Sequence, residues 1–358
     1  MTKQNLYIDI HALQSVPVSN INRDDNGEPK SAMYGGAMRA RVSSQSWKHA
    51  MRDGFKHTDI TSANRTKMAA KLLADNIQKV DSSLDDEAAM KKSEEAFKLA
   101  GVKVDKEGNT GALLMVSPGQ ITKLAQYVVS NDELDKKAIK AVLKGDQSLD
   151  LALFGRMVAD NPELNVDASA QVAHAISTHR VEPDYDYFTA LDDLQPKDTA
   201  GAAMLGSIQY NSSTLYRYAN LNMHELIHNL GTEDAFNGAS EFVKQFLLSM
   251  PTGKQNTFAN KTLPNYVMVV VRTDTPVNLV SAFEKPVPST EDGYVTASIT
   301  KLEKEYTSTL SMVEKPILKV VLNREDSTSD GQVENLTELL NKVTESLKEA
   351  VQDEDTDD

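Results

Sequence analysis

The chain has 358 residues, 40% hydrophobic and 25% charged, a length and balance that suit one elaborated globular domain or two ordinary ones. It contains no cysteine, which excludes disulfides and thiolate metal sites, and no apolar run long enough to span a bilayer. Its net charge of −14 argues against a surface that binds nucleic acid everywhere, yet Lys30, Arg39, Arg41, Lys48, Arg52 and Lys56 are interrupted by a single acid, Asp53.

In chain order, Leu6, Ile8 and Ile10 alternate with Tyr7, Asp9 and His11, a period of two that predicts an opening strand with one buried face. A polar loop follows over 19–30. Met38, Ala40 and Val42 alternate with Arg39 and Arg41, which predicts a short strand whose open face is basic. Ser43 or Ser44 is placed to cap a helix in which Trp47, Ala50, Met51 and Phe55 form the buried stripe. From about 61 to 153 the spacing is helical with polar breaks, and reads as an inserted group of helices. Strand patterning returns over 172–181 and again over 214–222. Between them, 183–211 is irregular and long enough to be an excursion from the sheet. Tyr266 to Val271 predicts a strand buried on both faces, and 333–351 an amphipathic helix before an acidic, disordered tail at 352–358. With no internal repeat, the sequence predicts one α+β domain with insertions.

The motif that looks most catalytic is HELIHNLGTED, from His224 to Asp234. Histidines one helical turn apart bind zinc in such motifs while the glutamate activates water, so His224, Glu225 and His228 allow a zinc-dependent hydrolase as the alternative function. Against it, Met223, Leu226, Ile227 and Leu230 define the inward stripe and leave both histidines on its polar flank. His174 and His179 have no acid or serine at a telling distance and read as strand residues. Arg39 and Arg41 share a strand face, and Lys48, Arg52 and Lys56 follow at helical spacing, an arrangement able to cradle successive phosphates. Lys136, Lys140 and Lys144, with Lys137 beside them, form a second basic stripe. Tyr185, Tyr187 and Phe188, followed by Thr189, put aromatic surface on the excursion, where it could stack on bases or anchor the loop.

Taken in order, YIDIHAL, NINRDDNGEPKSAMYGGAMRARVSSQSWKHAMR, LFGRMVAD, QVAHAISTHRVEPDYDYFTALDDL, LYRYANLN, PTGKQNTFAN and VSAFEKPV resemble the CasC family, the backbone subunit of type I-E CRISPR Cascade complexes in antiviral defence. The resemblance implies an RRM-like (ferredoxin-like) palm at 1–60 and 154–330, a helical finger insertion at 61–153, a thumb hairpin at 182–212 and a C-terminal helix at 331–351. It implies copies packed side by side along a CRISPR RNA (crRNA), each thumb reaching over its neighbour and displacing one nucleotide at intervals. The remaining bases then pair with target DNA, and pairing supplies the specificity. By this resemblance Arg23, Lys30, Arg39, Arg41, Lys48 and Arg52 bind crRNA phosphates, and Met157, Phe188 and Thr189 pin the displaced base. Lys136, Lys137, Lys140 and Lys144 touch duplex DNA. No cofactor, metal or catalytic residue is implied, since processing and cutting belong to other proteins. The partners implied are crRNA, target DNA, other copies, other Cascade subunits and, through the assembled complex, a helicase-nuclease, in the cytoplasm and without a membrane.

Overall fold

The alternation at the N-terminus forms strand β1 (Tyr7–Ser19), but the computed structural model buries Ile8 through Gln14 on both faces, Asp9 and His11 included. The one-faced burial expected from the period of two is thereby corrected. Polar residues alternate here because they supply a buried hydrogen-bonding row, not because they meet water. The structure describes residues 5–158, 161–190, 204–325 and 328–356. It divides into two units: residues 1–51, 172–220 and 243–358 form the first, and 52–171 with 221–242 the second.

Strands β2 (Ser31–Tyr34) and β3 (Ala37–Val42) precede helix α1 (Ser44–Phe55). Then follow β4 (Asn64–Thr66), α2 (Ala69–Val80), α3 (Asp86–Ala100), β5 (Leu114–Val116), α4 (Pro118–Ser130), α5 (Lys136–Lys144) and α6 (Leu149–Phe154). After them come β6 (Ala170–Val172), β7 (Ala175–Ser177), β8 (Asp184–Ala190), β9 (Met204–Asn222), α7 (Met223–Leu230) and α8 (Thr232–Leu248). The chain continues with α9 (Gln255–Phe258), β10 (Tyr266–Arg272), α10 (Val295–Thr309), β11 (Leu318–Asn323) and α11 (Leu336–Thr356).

In the first unit an antiparallel sheet runs in the order β11-β10-β1-β9-β7-β3-β2. β10 is buried at every residue, as its apolar run predicts, and pairs with β1 from Tyr7↔Arg272 to Leu13↔Tyr266. Leu13, Tyr216, Tyr218, Met268 and Val270 pack with Leu279, Phe283, Leu302 and Tyr306 into one core of this unit. Trp47, Ala50, Met51 and Phe55 of α1 are all buried, so the stripe read from sequence is the one the fold uses. The sheet and helices together make the expected α+β class. α11 continues past 351 to Thr356, because half-buried Val351 extends the buried stripe of Leu339, Val343 and Leu347 by one turn. The acidic end is thus helical as far as Thr356, which corrects the disordered tail expected from 352; residues 357–358 lie outside the described residues.

The second unit is wider than the 61–153 insertion expected, since it also takes in 52–60, 154–171 and 221–242. Leu73, Ile77, Phe97, Leu124, Val128, Ile139 and Leu143 of α2–α5 form its core. Side chains of Asp85, Ser117 and Asp135 cap α3, α4 and α5, and Ser117 with Gln120 forms a reciprocal capping box. The β4–β5 pair, Asn64↔Val116 to Thr66↔Leu114, is absent from the helical reading because three-residue strands are too short to show a period.

Candidate nucleic-acid interface

The turn Gly35–Gly36 joins β2 to β3 with both glycines at positive φ, +57° and +72°, as a tight two-residue hairpin requires. A Cβ at Gly35 would overlap the Glu284 carbonyl oxygen, so only glycine lets the turn sit there. Beside it, Arg39 is fully buried. Its guanidinium donates to the carbonyls of Ser177 (2.9 Å), Phe283 (2.8 Å), Glu284 (3.2 Å) and Tyr34 (3.3 Å). Burial lowers its pKa. The phosphate contact expected of Arg39 is therefore corrected: its donors are spent on backbone, and it ties the β2–β3 hairpin to the segment before α10.

Arg52 is half-buried, and part of its guanidinium is engaged within the fold. Its Nε lies 2.8 Å from Oδ2 of fully buried Asp150, and its Nη2 donates to the Ala63 carbonyl at 3.0 Å. Asp150 also accepts from Ala63 N (2.8 Å) and Ser148 Oγ (2.7 Å), so the pair closes a network within the second unit.

The other four candidates stay accessible. Arg41 N donates to the Lys30 carbonyl at 2.9 Å, which sets Lys30 opposite Arg41 across neighbouring strands, both half-buried. Directly opposed strand residues bring their side chains within about 5 Å, so the two cations form one patch. Arg23 is exposed in a loop closed by its bridge to Pro29 and by Asp24 Oδ1, which accepts from the backbone N–H of Asn26 and Glu28. Lys48 is half-buried on α1, and burial lowers its pKa.

The excursion is a two-stranded antiparallel ribbon, β8 against the first half of β9, in register from Asp184↔Tyr210 to Ala190↔Met204; its far end at 191–203 lies outside the described residues. Successive side chains alternate between faces. Tyr185, Tyr187 and Thr189 therefore share one face with Leu205, Ser207 and Gln209, while Phe188 lies on the other with Asp184 and Asp186. Tyr185 and Tyr187 are 61% and 65% exposed, whereas the Phe188 ring covers Gly206 and fills the space a side chain there would take. Phe188 and Thr189 do not present a common surface, a consequence of strand parity that sequence adjacency hides. Met157, in the second unit, is 82% exposed.

On α5, Lys136, Lys137 and Lys144 are exposed, and Lys140 is paired with Glu163. They border a cleft of about 520 Å³. Burial, then the charge of Lys136 and a hydrogen bond with it, then the charge of Lys144, lower the Lys140 pKa.

The HELIH segment forms α7, with Met223 and Leu226 buried and His228 exposed. Gly231 ends the helix, and Asp234 lies exposed on α8. Among the described residues no three His, Cys, Asp or Glu side chains are grouped to hold a metal, so nothing supports the zinc hydrolase alternative. His179 is buried and stacked on Tyr294, its Nε2 accepting from Thr214 N at 3.1 Å. Among the described residues no helix is long and apolar enough to cross a membrane.

Sequence reasoning also passed over Arg156 and Arg217, both inside quoted motifs and both buried. Arg156 donates to the Leu164, Met115 and Leu143 carbonyls at 2.9, 3.0 and 2.7 Å, and burial brings its pKa down to about 10. Arg217 lies between the Trp47 and Phe246 rings, 3.7 and 4.5 Å from their centroids, and donates to Gln14 Oε1 at 2.6 Å. Burial brings it down to about 9.

The first unit is thus an antiparallel sheet with a cationic patch near one edge and an exposed aromatic ribbon, in an α+β protein. The chain belongs to the CT1975-like protein family, whose model matches residues 8–353. Among solved structures it is similar to a chain of a "CRISPR RNA-guided surveillance complex, pre-nicking", with 30% identity, a TM-score of 0.84, and coverage of 95% of this chain and 99% of that one. A chain of a "CRISPR RNA-guided surveillance complex" shares 26% identity with a TM-score of 0.74 over 95% of this chain and 99% of that one. No curated protein matches the chain.

Proposed function

We propose that the chain is a non-catalytic backbone subunit of a CRISPR surveillance complex, of the type I-E class typified by CasC. It binds crRNA through phosphates, oligomerises along it and presents its bases to target DNA in antiviral defence. The observation that supports this most is the likeness, over nearly the full length of both chains, to a subunit of an RNA-guided surveillance complex. Arg23, Lys30, Arg41 and Lys48 hold the RNA backbone, and Lys136, Lys137, Lys140 and Lys144 meet duplex DNA. The β8–β9 ribbon displaces a base: a ribbon inserted between successive bases touches one with each face, Phe188 on one side and Thr189 with Tyr187 on the other. Met157 adds an apolar contact to the same task. Its partners are crRNA, further copies, other complex subunits and, through the assembly, a helicase-nuclease, in the cytoplasm.

The test is electrostatic. A Lys30→Ala/Arg41→Ala variant should bind single-stranded RNA more weakly whatever the sequence, with a log affinity against log salt slope shallower by about 1.4, roughly 0.7 for each phosphate no longer neutralised. A folded variant with the wild-type slope contradicts the assignment.

A further inference from the structure

His174 stands where the strand that begins as β6 and continues as β7 carries one extra residue. Ile176 is opposite Tyr216, yet Ala173 N donates to the Tyr218 carbonyl, so three steps on this strand match two on β9. An extra residue of this kind re-aims the side chain beside it. Here the His174 ring turns to the start of α1, where Nδ1 accepts the Ser44 backbone N–H at 3.1 Å. Because Nδ1 is the acceptor, the neutral ring carries its proton on Nε2, on the side away from that bond. The ring is exposed. Partial burial, then the charges of two cations, Arg41, one residue before the Val42↔Ala175 pair, and Lys30 opposite Arg41, disfavour a charged imidazole. A fixed, neutral N–H donor thus stands beside two cations, and the chemistry that matches all three is a phosphate oxygen.

We propose that His174 is a further RNA-binding residue, donating its Nε2–H to one of the phosphates that Lys30 and Arg41 hold. This rests on the RNA-binding reading above, and two features make it separable from that reading. A neutral donor adds affinity without releasing a counterion, so its loss leaves the salt slope unchanged, unlike the loss of a cation. The substitution His174→Asn keeps an oxygen that can accept the Ser44 N–H, so the start of α1 stays capped, but it has no donor at the place of Nε2.

The experiment measures binding of the full chain to labelled polyuridylate over a salt series, for wild type, His174→Asn and Lys30→Ala/Arg41→Ala. His174→Asn is expected to bind about fivefold to tenfold more weakly at every salt concentration, with the wild-type slope. Wild-type affinity for His174→Asn while the double variant weakens would leave RNA binding standing and reduce His174 to a helix cap, overturning the inference alone. A shallower slope for His174→Asn would mean a charged ring, which also overturns it. A double variant with wild-type affinity and slope removes both this inference and the phosphate site it rests on.

Discussion

Asp9 and His11 lie side by side in β1 and respond to burial in opposite senses. Asp9 accepts from Tyr218 OH (2.7 Å) and Val277 N (3.0 Å) and lies 3.2 Å from Arg272, yet burial outweighs these and pushes its carboxyl up to about 6. His11 bonds Tyr216 OH at 2.9 Å, and burial brings its ring down to about 3. As pH falls from about 6 to about 4, Asp9 takes up a proton in the folded chain before the unfolded one does, which favours folding. Over the same window the unfolded chain protonates His11 and the folded chain does not, which opposes it. The two contributions nearly cancel. Asp9→Asn removes one of them, so the variant should lose on the order of 3 kcal/mol between pH 6.5 and pH 4 beyond what wild type loses, read from urea unfolding at several pH values. Parallel curves for the two proteins would show that Asp9 stays ionised. None of this is visible in YIDIHAL, because the cover on the second face of β1 comes from residues some two hundred positions away. Arg39 teaches the same lesson. A cation in strand-like sequence looks like a ligand for a polyanion until topology shows that carbonyls already surround it.

At the scale of elements, legibility followed periodicity. The α1 stripe and the buried β10 were evident from spacing alone, and the excursion from its length. Ribbon parity was not evident, because which residues share a face depends on pairing with β9. That pairing gives a prediction. Gly206 leaves room for the Phe188 ring, so Gly206→Val should dislodge the ring and weaken RNA binding about as much as Phe188→Ala does. Packing of one base against an aromatic ring is worth about 1–3 kcal/mol, or roughly fivefold to a hundredfold in affinity. The double variant should then be no weaker than either single one, as a double-mutant cycle would show. Additive losses would mean that the valine acts elsewhere. On α5, by contrast, the lysine stripe was readable but the Glu163 pairing of Lys140 was not, since the acid lies beyond the next helix.

At the scale of the molecule, a net charge of −14 and an RNA-binding role are compatible only if the cations are gathered where the polyanion runs. Arg23, Lys30, Arg41 and Lys48 are gathered in the first 51 residues of the first unit, in a chain whose acids prevail elsewhere. A monomer that binds RNA once and a subunit that coats it would share the same local contacts with the RNA backbone. They differ in how occupancy grows with RNA length. The most direct measurement is the mass of the complexes formed between the purified chain and single-stranded RNAs of increasing length, by mass photometry at fixed salt. For a coating subunit, bound copies rise in regular steps as the RNA lengthens. One copy bound at every length, or none, would contradict that role.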